Sequence, residues 1–251
     1  MLLLLPPSET KRQGGSYPSI SQVTPSFSGL MESRDQLIDA LQLVSQNGEL
    51  GSKLLKLSPK RLGELQVNLE IRDAATLPAL ERYSGVLYSA IEYETLDDAA
   101  IRRARDTVLI QSALFGLISA ADLIPNYRFS VSTKLPGIAA KAHWAKATVA
   151  VFDRLRDYPL IDLRSKQYAE LSPIPGNLES YEVEVLTESP DGTMRPLNHF
   201  NKKAKGQFVR QFLTAKDEPK TIADLISVAA YIGMKLENHG RQLRLVTPEA
   251  F

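Results

Sequence analysis

Residues 193–213 read TMRPLNHFNKKAKGQFVRQFL and concentrate the charge of the chain. Between Gly192 and Lys216 there is no acidic residue, while Arg195, Lys202, Lys203, Lys205, Arg210 and Lys216 all fall there. The whole chain is nearly balanced, with 30 basic against 29 acidic residues, so a local surplus of this kind suits an anion. Asn201 is placed to cap a helix beginning at Lys202. Ala204, Phe208, Phe212 and Leu213 recur at the spacing of its buried stripe. Gly206 lies inside that helix at a cost of about 1 kcal/mol against Ala. Its bare backbone admits a close neighbour, either a packed element or a ligand. A basic helix start is suited to phosphate.

A second acid-free interval, residues 123–152, carries Arg128, Lys134, Lys141 and Lys146. Inside it, residues 135–141 (LPGIAAK) look like the hairpin of a helix-hairpin-helix element, where N–H groups at the Gly137 turn and the next helix start meet a DNA phosphate. The segment before it, residues 128–134, reads as a strand rather than a helix, so an ordinary turn before a helix stands beside that reading. Lys53, Lys56, Lys60 and Arg61 form a further basic cluster, read as a solvated face. For catalysis, the candidates are Ser8, Glu9, Asp122, Arg164 and Tyr168. They are small polar, acidic, cationic and phenolic side chains near strand candidates, placed to converge on a nucleotide or damaged base.

Several chemistries are excluded. There are no cysteines, hence no disulfide, thiolate or iron–sulfur chemistry, which fits a cytoplasmic chain. His143, His199 and His239 lack zinc-type spacing, and no metal site is assigned. Residues 48–53 (GELGSK) are not a phosphate-binding P-loop, and neither GxGxxG nor GxSxG occurs, so no cofactor is assigned. The opening MLLLLPP lacks a basic start, and two prolines cut its apolar run to five residues, unlike a signal peptide. No stretch approaches the roughly 20 apolar residues of a membrane span.

These residues need a scaffold. Residues 1–5 read as a buried strand ended by Pro6-Pro7, and residues 107–114 as a central strand. Helices are expected over 30–44, 52–69 with a break at Ser58-Pro59, 95–105, 137–156 and 221–231. Residues 86–91 are a helix or a strand. Strands are expected over 127–133, 160–163, 180–187 and 241–246. A turn at 189–192 leads into a hairpin partner over 193–200. The pattern predicts one mixed α/β domain over residues 1–251, with a mixed central sheet.

In this order the pieces resemble the YaaA family of peroxide-stress proteins. The similarity rests on the first strand with LPPSETK, on YSGVLYSAI, and on LFGLISAADLIPNYRFSVSTKLPG. It continues through the Trp144 helix, IDLRSKQYAEL and NHFNKKAKGQFVRQFL. The resemblance implies a mixed α/β fold with a basic cleft and a helix-hairpin-helix-like element, double-stranded or distorted DNA as partner, and a role in limiting peroxide- and iron-dependent damage. Matching positions include Ser8, Lys11, Gly85, Tyr88, Gly116, Asp122, Tyr127, Arg128, Ser165, Tyr168, Lys202, Lys203, Lys205, Gly206 and Arg210. Many members read Ser-Pro-Ala-Lys after the first strand, whereas here the lysine is displaced to Lys11 and Glu9 is added. Residues 56–65 are a second place for the helix-hairpin-helix. On the expected DNA, phosphate would meet Lys202, Lys203, Lys205 and Arg210 around Gly206, with Lys11, Arg128, Gly137 and Lys141 assisting.

Overall fold

A computed structural model describes residues 1–189, 192–196 and 200–248. The strands are β1 (Leu2–Leu5), β2 (Leu77–Pro78), β3 (Val108–Ser112), β4 (Gly116–Ser119), β5 (Leu123–Ile124), β6 (Leu160–Asp162), β7 (Ser180–Glu188), β8 (Met194–Pro196), β9 (Lys235–His239) and β10 (Gln242–Thr247). The helices are α1 (Met31–Gln46), α2 (Gly48–Leu54), α3 (Glu64–Leu69), α4 (Ala79–Arg82), α5 (Val86–Ile91), α6 (Asp98–Thr107), α7 (Ala140–Ala147), α8 (Val149–Arg154), α9 (Lys166–Leu171), α10 (Asn201–Thr214) and α11 (Ile222–Tyr231).

An eight-stranded mixed sheet, ordered β4-β3-β1-β6-β7-β10-β9, forms the centre of this single compact domain, and β8 pairs with β7. The run of leucines in β1 is buried throughout, because β1 lies between parallel neighbours β3 and β6 and is covered on both faces. The parallel block continues through β7 and β10, while β4 and β9 add antiparallel edges. Arg34, buried in α1, donates to the Phe115 and Leu117 carbonyls beside edge strand β4, at 2.8 and 2.9 Å. No helix among the described residues is long and apolar enough to cross a membrane.

Most expected elements form, and the departures have local causes. Residues 86–91 resolve as helix α5. The strand expected over 127–133 does not form. There the Arg128 N–H donates to the Asn68 side chain at 2.7 Å, and residues 130–133 close a turn, so side chains and a turn replace a strand ladder. The helix expected over 137–156 starts at Ala140 and divides at Thr148. The Thr148 hydroxyl donates back to the Trp144 carbonyl at 2.7 Å and accepts from Ser172 at 2.6 Å. Asn201 is the first residue of α10 rather than its cap, and Phe200 at the cap position makes no side-chain cap bond. The sequence reading missed β9, which forms a hairpin with β10. Parts of the expected turn at 189–192 and of its partner over 193–200, including His199, lie outside the described residues.

Candidate functional site: a crevice at the ends of β1 and β6

The chain leaves β1 toward β3 on one side, whereas β6 leads to β7 on the other. The carboxyl ends of β1 and β6 therefore meet at a topological switch point, where open α/β sheets place their ligand crevices. Residues 6–11 leave β1 there, and residues 163–165 leave β6 into α9. The first loop is fastened to residues 82–84: Ser84 N donates to the Thr10 carbonyl, the Thr10 hydroxyl donates to the Ser84 carbonyl, and Arg12 N donates to the Arg82 carbonyl. The Tyr88 hydroxyl donates to the Pro6 carbonyl at 2.8 Å. Gly85, at φ 105°, faces Ser8 and Thr10. A Cβ there would stand 2.8 Å from the Ser8 hydroxyl oxygen.

Lys11 is the centre of the site. Its Nζ donates to the Ser8 and Glu9 carbonyls at 3.1 and 3.3 Å and lies 4.0 Å from the centre of the Tyr127 ring. Burial lowers its ammonium from 10.5 to about 7, helped by the nearby Arg128 charge and opposed by Glu9 and Glu64. The Tyr127 ring face also favours the cation, by about 0.5–2 kcal/mol. Behind Lys11 runs a buried hydroxyl chain, with Tyr127 bonded to Tyr83 at 2.7 Å and to Ser112, at the end of β3, at 2.9 Å. Burial raises the Tyr83, Tyr88 and Tyr127 phenols well above their ordinary value, so they stay protonated. In front, Arg128 bridges two carboxylates, Glu9 at 3.3 Å and Glu64 at 3.4 Å. Tyr168, raised to about 12 chiefly by burial, feels both Glu9 and Arg128. A cavity of about 160 Å³ is lined by Glu9, Lys11, Arg61, Glu64, Tyr127 and Arg128, among others.

Of the proposed catalytic set, Glu9 lines the cavity with Lys11 and Arg128, and Tyr168 lies near enough to feel Glu9 and Arg128. Ser8 meets Lys11 through its carbonyl, while its hydroxyl turns to Thr10 and Gly85. Asp122 stands apart. It accepts from Ser26 N and Oγ and from Ser119 N, and Ser119 pairs with Leu109 near the opposite end of β3. Arg164 turns inward. It makes a buried bidentate pair with Asp162 at 2.8 Å and donates to the Ser172 carbonyl.

The basic helix is largely committed to the fold. Lys205 is buried, and its Nζ donates to the Leu163 carbonyl at 3.0 Å, tying α10 to the loop that leaves β6. Desolvation lowers it to about 8, against the pull of Asp162 and Glu182. Gly206 faces α5: a Cβ would stand 2.2 Å from the Leu87 carbonyl oxygen, so the close neighbour is a packed helix. Arg210 donates to the carbonyls of Ile91 and Glu92, closing the end of α5. Lys202 remains exposed, and Lys203 lines a cavity with Gly85, Ala90 and Gln207. Gly137 is an exposed turn residue at φ 76°, and Lys141 pairs with Glu170 at 3.1 Å. Because residues 128–134 are not helical, the hairpin-like turn at 135–138 follows no helix.

A different corner carries exposed positive charge. Helices α2 and α3 are joined by residues 55–63, and Lys53, Lys56, Lys60 and Arg61 are exposed along and beside that connection. Arg61 pairs with Glu64, whose other partner is Arg128, so the corner adjoins the Lys11 cavity. Sequence reasoning missed Glu64, Tyr83 and Ser112. The available signal was the tyrosines in apolar segments, since a buried phenol requires a polar partner.

A family model described as peroxide stress protein YaaA matches residues 1–237. The chain is 39% identical over 250 residues to a UPF0246 protein of Corynebacterium efficiens, across 96% of this chain and 97% of the relative. It is 37% identical over 256 residues to a UPF0246 protein of Corynebacterium glutamicum, across 98% and 100% of the two chains. A Streptomyces coelicolor UPF0246 protein is 35% identical over 241 residues, across 94% and 92%. Matched along nearly its whole length, the chain belongs to the YaaA family of peroxide stress proteins.

Proposed function

We propose that this chain serves the peroxide stress response by binding DNA, with the phosphate backbone held at the corner between α2 and α3 and the Lys11 crevice facing the bound strand. The observation that carries this reading is the exposure of Lys53, Lys56 and Lys60, which form no ion pair among the described residues, directly beside the switch-point crevice. Paired helices joined by a basic connection suit backbone contact, which positions a protein without reading sequence. Lys202 adds a further exposed cation. Lys205 and Arg210, expected from sequence to touch phosphate, instead bond backbone carbonyls, Lys205 in the loop that leaves β6 and Arg210 at the end of α5.

The test is duplex binding across a salt series by wild type and a Lys53→Ala/Lys56→Ala/Lys60→Ala variant. Each phosphate contact contributes about −0.9 to the slope of log affinity against log salt, so the variant should lose about 2–3 of slope and weaken on every sequence alike. Equal slopes would place DNA elsewhere, and no binding by wild type at low salt would end the reading. A second reading, an enzyme acting on a nucleotide or damaged base in the same crevice, is favoured by the gathering of Glu9, Lys11 and Arg128 on one cavity with Tyr168 nearby.

A further inference from the structure

We propose that Lys11 is an imine-forming lysine whose target is the aldehyde of a phosphorylated sugar. Two sources share that chemistry: the ring-opened deoxyribose of a site in DNA that has lost its base, and a free sugar phosphate. The DNA arm rests on the binding reading above; the lysine chemistry itself does not.

Five observations support this. An imine-forming amine must be neutral at working pH, and desolvation together with Arg128 brings Lys11 to about 7, against Glu9 and Glu64. Other lysines among the described residues are paired or exposed, and Lys205, the second lowered one, is bonded to a carbonyl behind the sheet ends. A neutral amine has two hydrogens and one lone pair. The Ser8 and Glu9 carbonyls take two hydrogens, which leaves the lone pair for an electrophile. The adjoining cavity of about 160 Å³ is small beside the roughly 300–1,000 Å³ of drug-sized sites and suits a single sugar. Arg128 holds the Glu9 and Glu64 carboxylates on that cavity, where they can relay protons, and Arg61 stands on its rim for phosphate.

The step is a condensation with no change of oxidation state. The Lys11 nitrogen lone pair forms a bond to the aldehyde carbon while the carbonyl π pair moves to oxygen. A proton passes from nitrogen to that oxygen, giving a carbinolamine. A second proton, drawn from solvent, converts the hydroxyl to water, which leaves as the nitrogen lone pair closes the C=N bond of a protonated imine. Addition of water reverses the sequence and frees the lysine.

The experiment uses the full chain with a duplex carrying one abasic site and, separately, with deoxyribose 5-phosphate. Each is treated with sodium borohydride, which reduces an imine to a stable amine. Covalent adducts are mapped by mass spectrometry, and duplex binding is measured in parallel without reductant. We expect an adduct on Lys11 of the wild-type protein, with trapping that slows as pH falls below about 7. Lys11→Arg, which keeps the cation but has no amine to condense, should reduce trapping at least tenfold. Trapping of the sugar phosphate at Lys11 without duplex binding would uphold the lysine chemistry and overturn the DNA reading. Duplex binding with no adduct from either source would overturn the lysine proposal and leave the DNA reading standing. Adducts confined to other lysines of the wild-type protein would overturn the proposal whether or not the variant folds.

Discussion

Gly206→Ala tests whether this glycine serves helix packing or ligand approach. In an exposed helix, alanine is favoured over glycine by about 1 kcal/mol, so a ligand-facing Gly206 would predict a more stable variant. The structure predicts the reverse. An added Cβ would stand 2.2 Å from the Leu87 carbonyl oxygen, 2.7 Å from the Ala90 Cβ and 3.0 Å from the Leu87 carbonyl carbon. Ordinary contact begins near 3.4 Å, so α10 and α5 must separate by about 1.2 Å. The obstacle is helix backbone, which cannot swing aside as a side-chain tip does. Overpacking costs about 1–3 kcal/mol, and a rigid obstacle puts this site at the upper end. Setting about 3 against the favourable 1 leaves a net loss of about 2 kcal/mol, a fall in Tm of about 4–8 °C for a chain of this size. Differential scanning calorimetry of Gly206→Ala beside Gly63→Ala, an exposed site with nothing within 4 Å, measures this. If Gly206→Ala melts at or above wild type while Gly63→Ala is neutral, the packing argument is wrong.

Arg164→Met strands the buried Asp162 carboxylate and should cost about 3–5 kcal/mol in urea unfolding, while Asp162→Leu/Arg164→Met together should recover most of that loss. A double variant as unstable as the single one would assign the cost to something other than the unpaired charge. The Lys11 ammonium is lowered to about 7, against 10.5 for an ordinary lysine. Between those values the unfolded chain binds more protons, so this group makes stability rise with pH through the window, with its full penalty below about 7. Lys11→Met should therefore gain more over wild type at pH 6 than at pH 10, and a pH-independent difference in urea midpoint would contradict the burial. Lys202→Ala should stay within about 0.5 kcal/mol of wild type, whereas Lys205→Ala should lose about 2 kcal/mol or more. Thermal melts that treat the two lysines alike would refute the difference in depth.

The sheet was legible where residue type and position agree. Four successive leucines ended by two prolines can only be comfortable between covered neighbours, and β1 is there. The stripe Ala204, Phe208, Phe212 and Leu213 faces inward as its spacing requires. Legibility failed where long-range partners decide. Residues 127–133 have the composition of a strand, but Asn68, from a distant helix, takes the Arg128 N–H and removes it from any ladder. The KKAK run reads as uniform surface charge, yet Lys205 is buried. Its neighbours one turn on, Phe208 and Val209, are both buried, which was the available sign that it stands on the inner flank. The crevice itself was half legible. Ser8, Glu9 and Tyr168 could be placed at strand ends, but which strand ends meet depends on sheet order. That order brought Lys11 to the centre and sent Asp122 to the far end.

The switch-point crevice also sets a schedule for the chain's own synthesis. Residues 6–11 leave β1 and residues 163–165 leave β6; these two ends of the switch point stand roughly 150 residues apart in sequence and meet only after β6 has left the ribosome. At about 5–20 residues per second, that interval lasts roughly 8–30 s. For about the first two-thirds of it the leucines of β1 lack both flanking strands, and to its end they lack β6, in a sheet whose parallel pairings are intrinsically slow to close. The strand that leads into the site is thus without its full set of neighbours for much of the time the protein is being made.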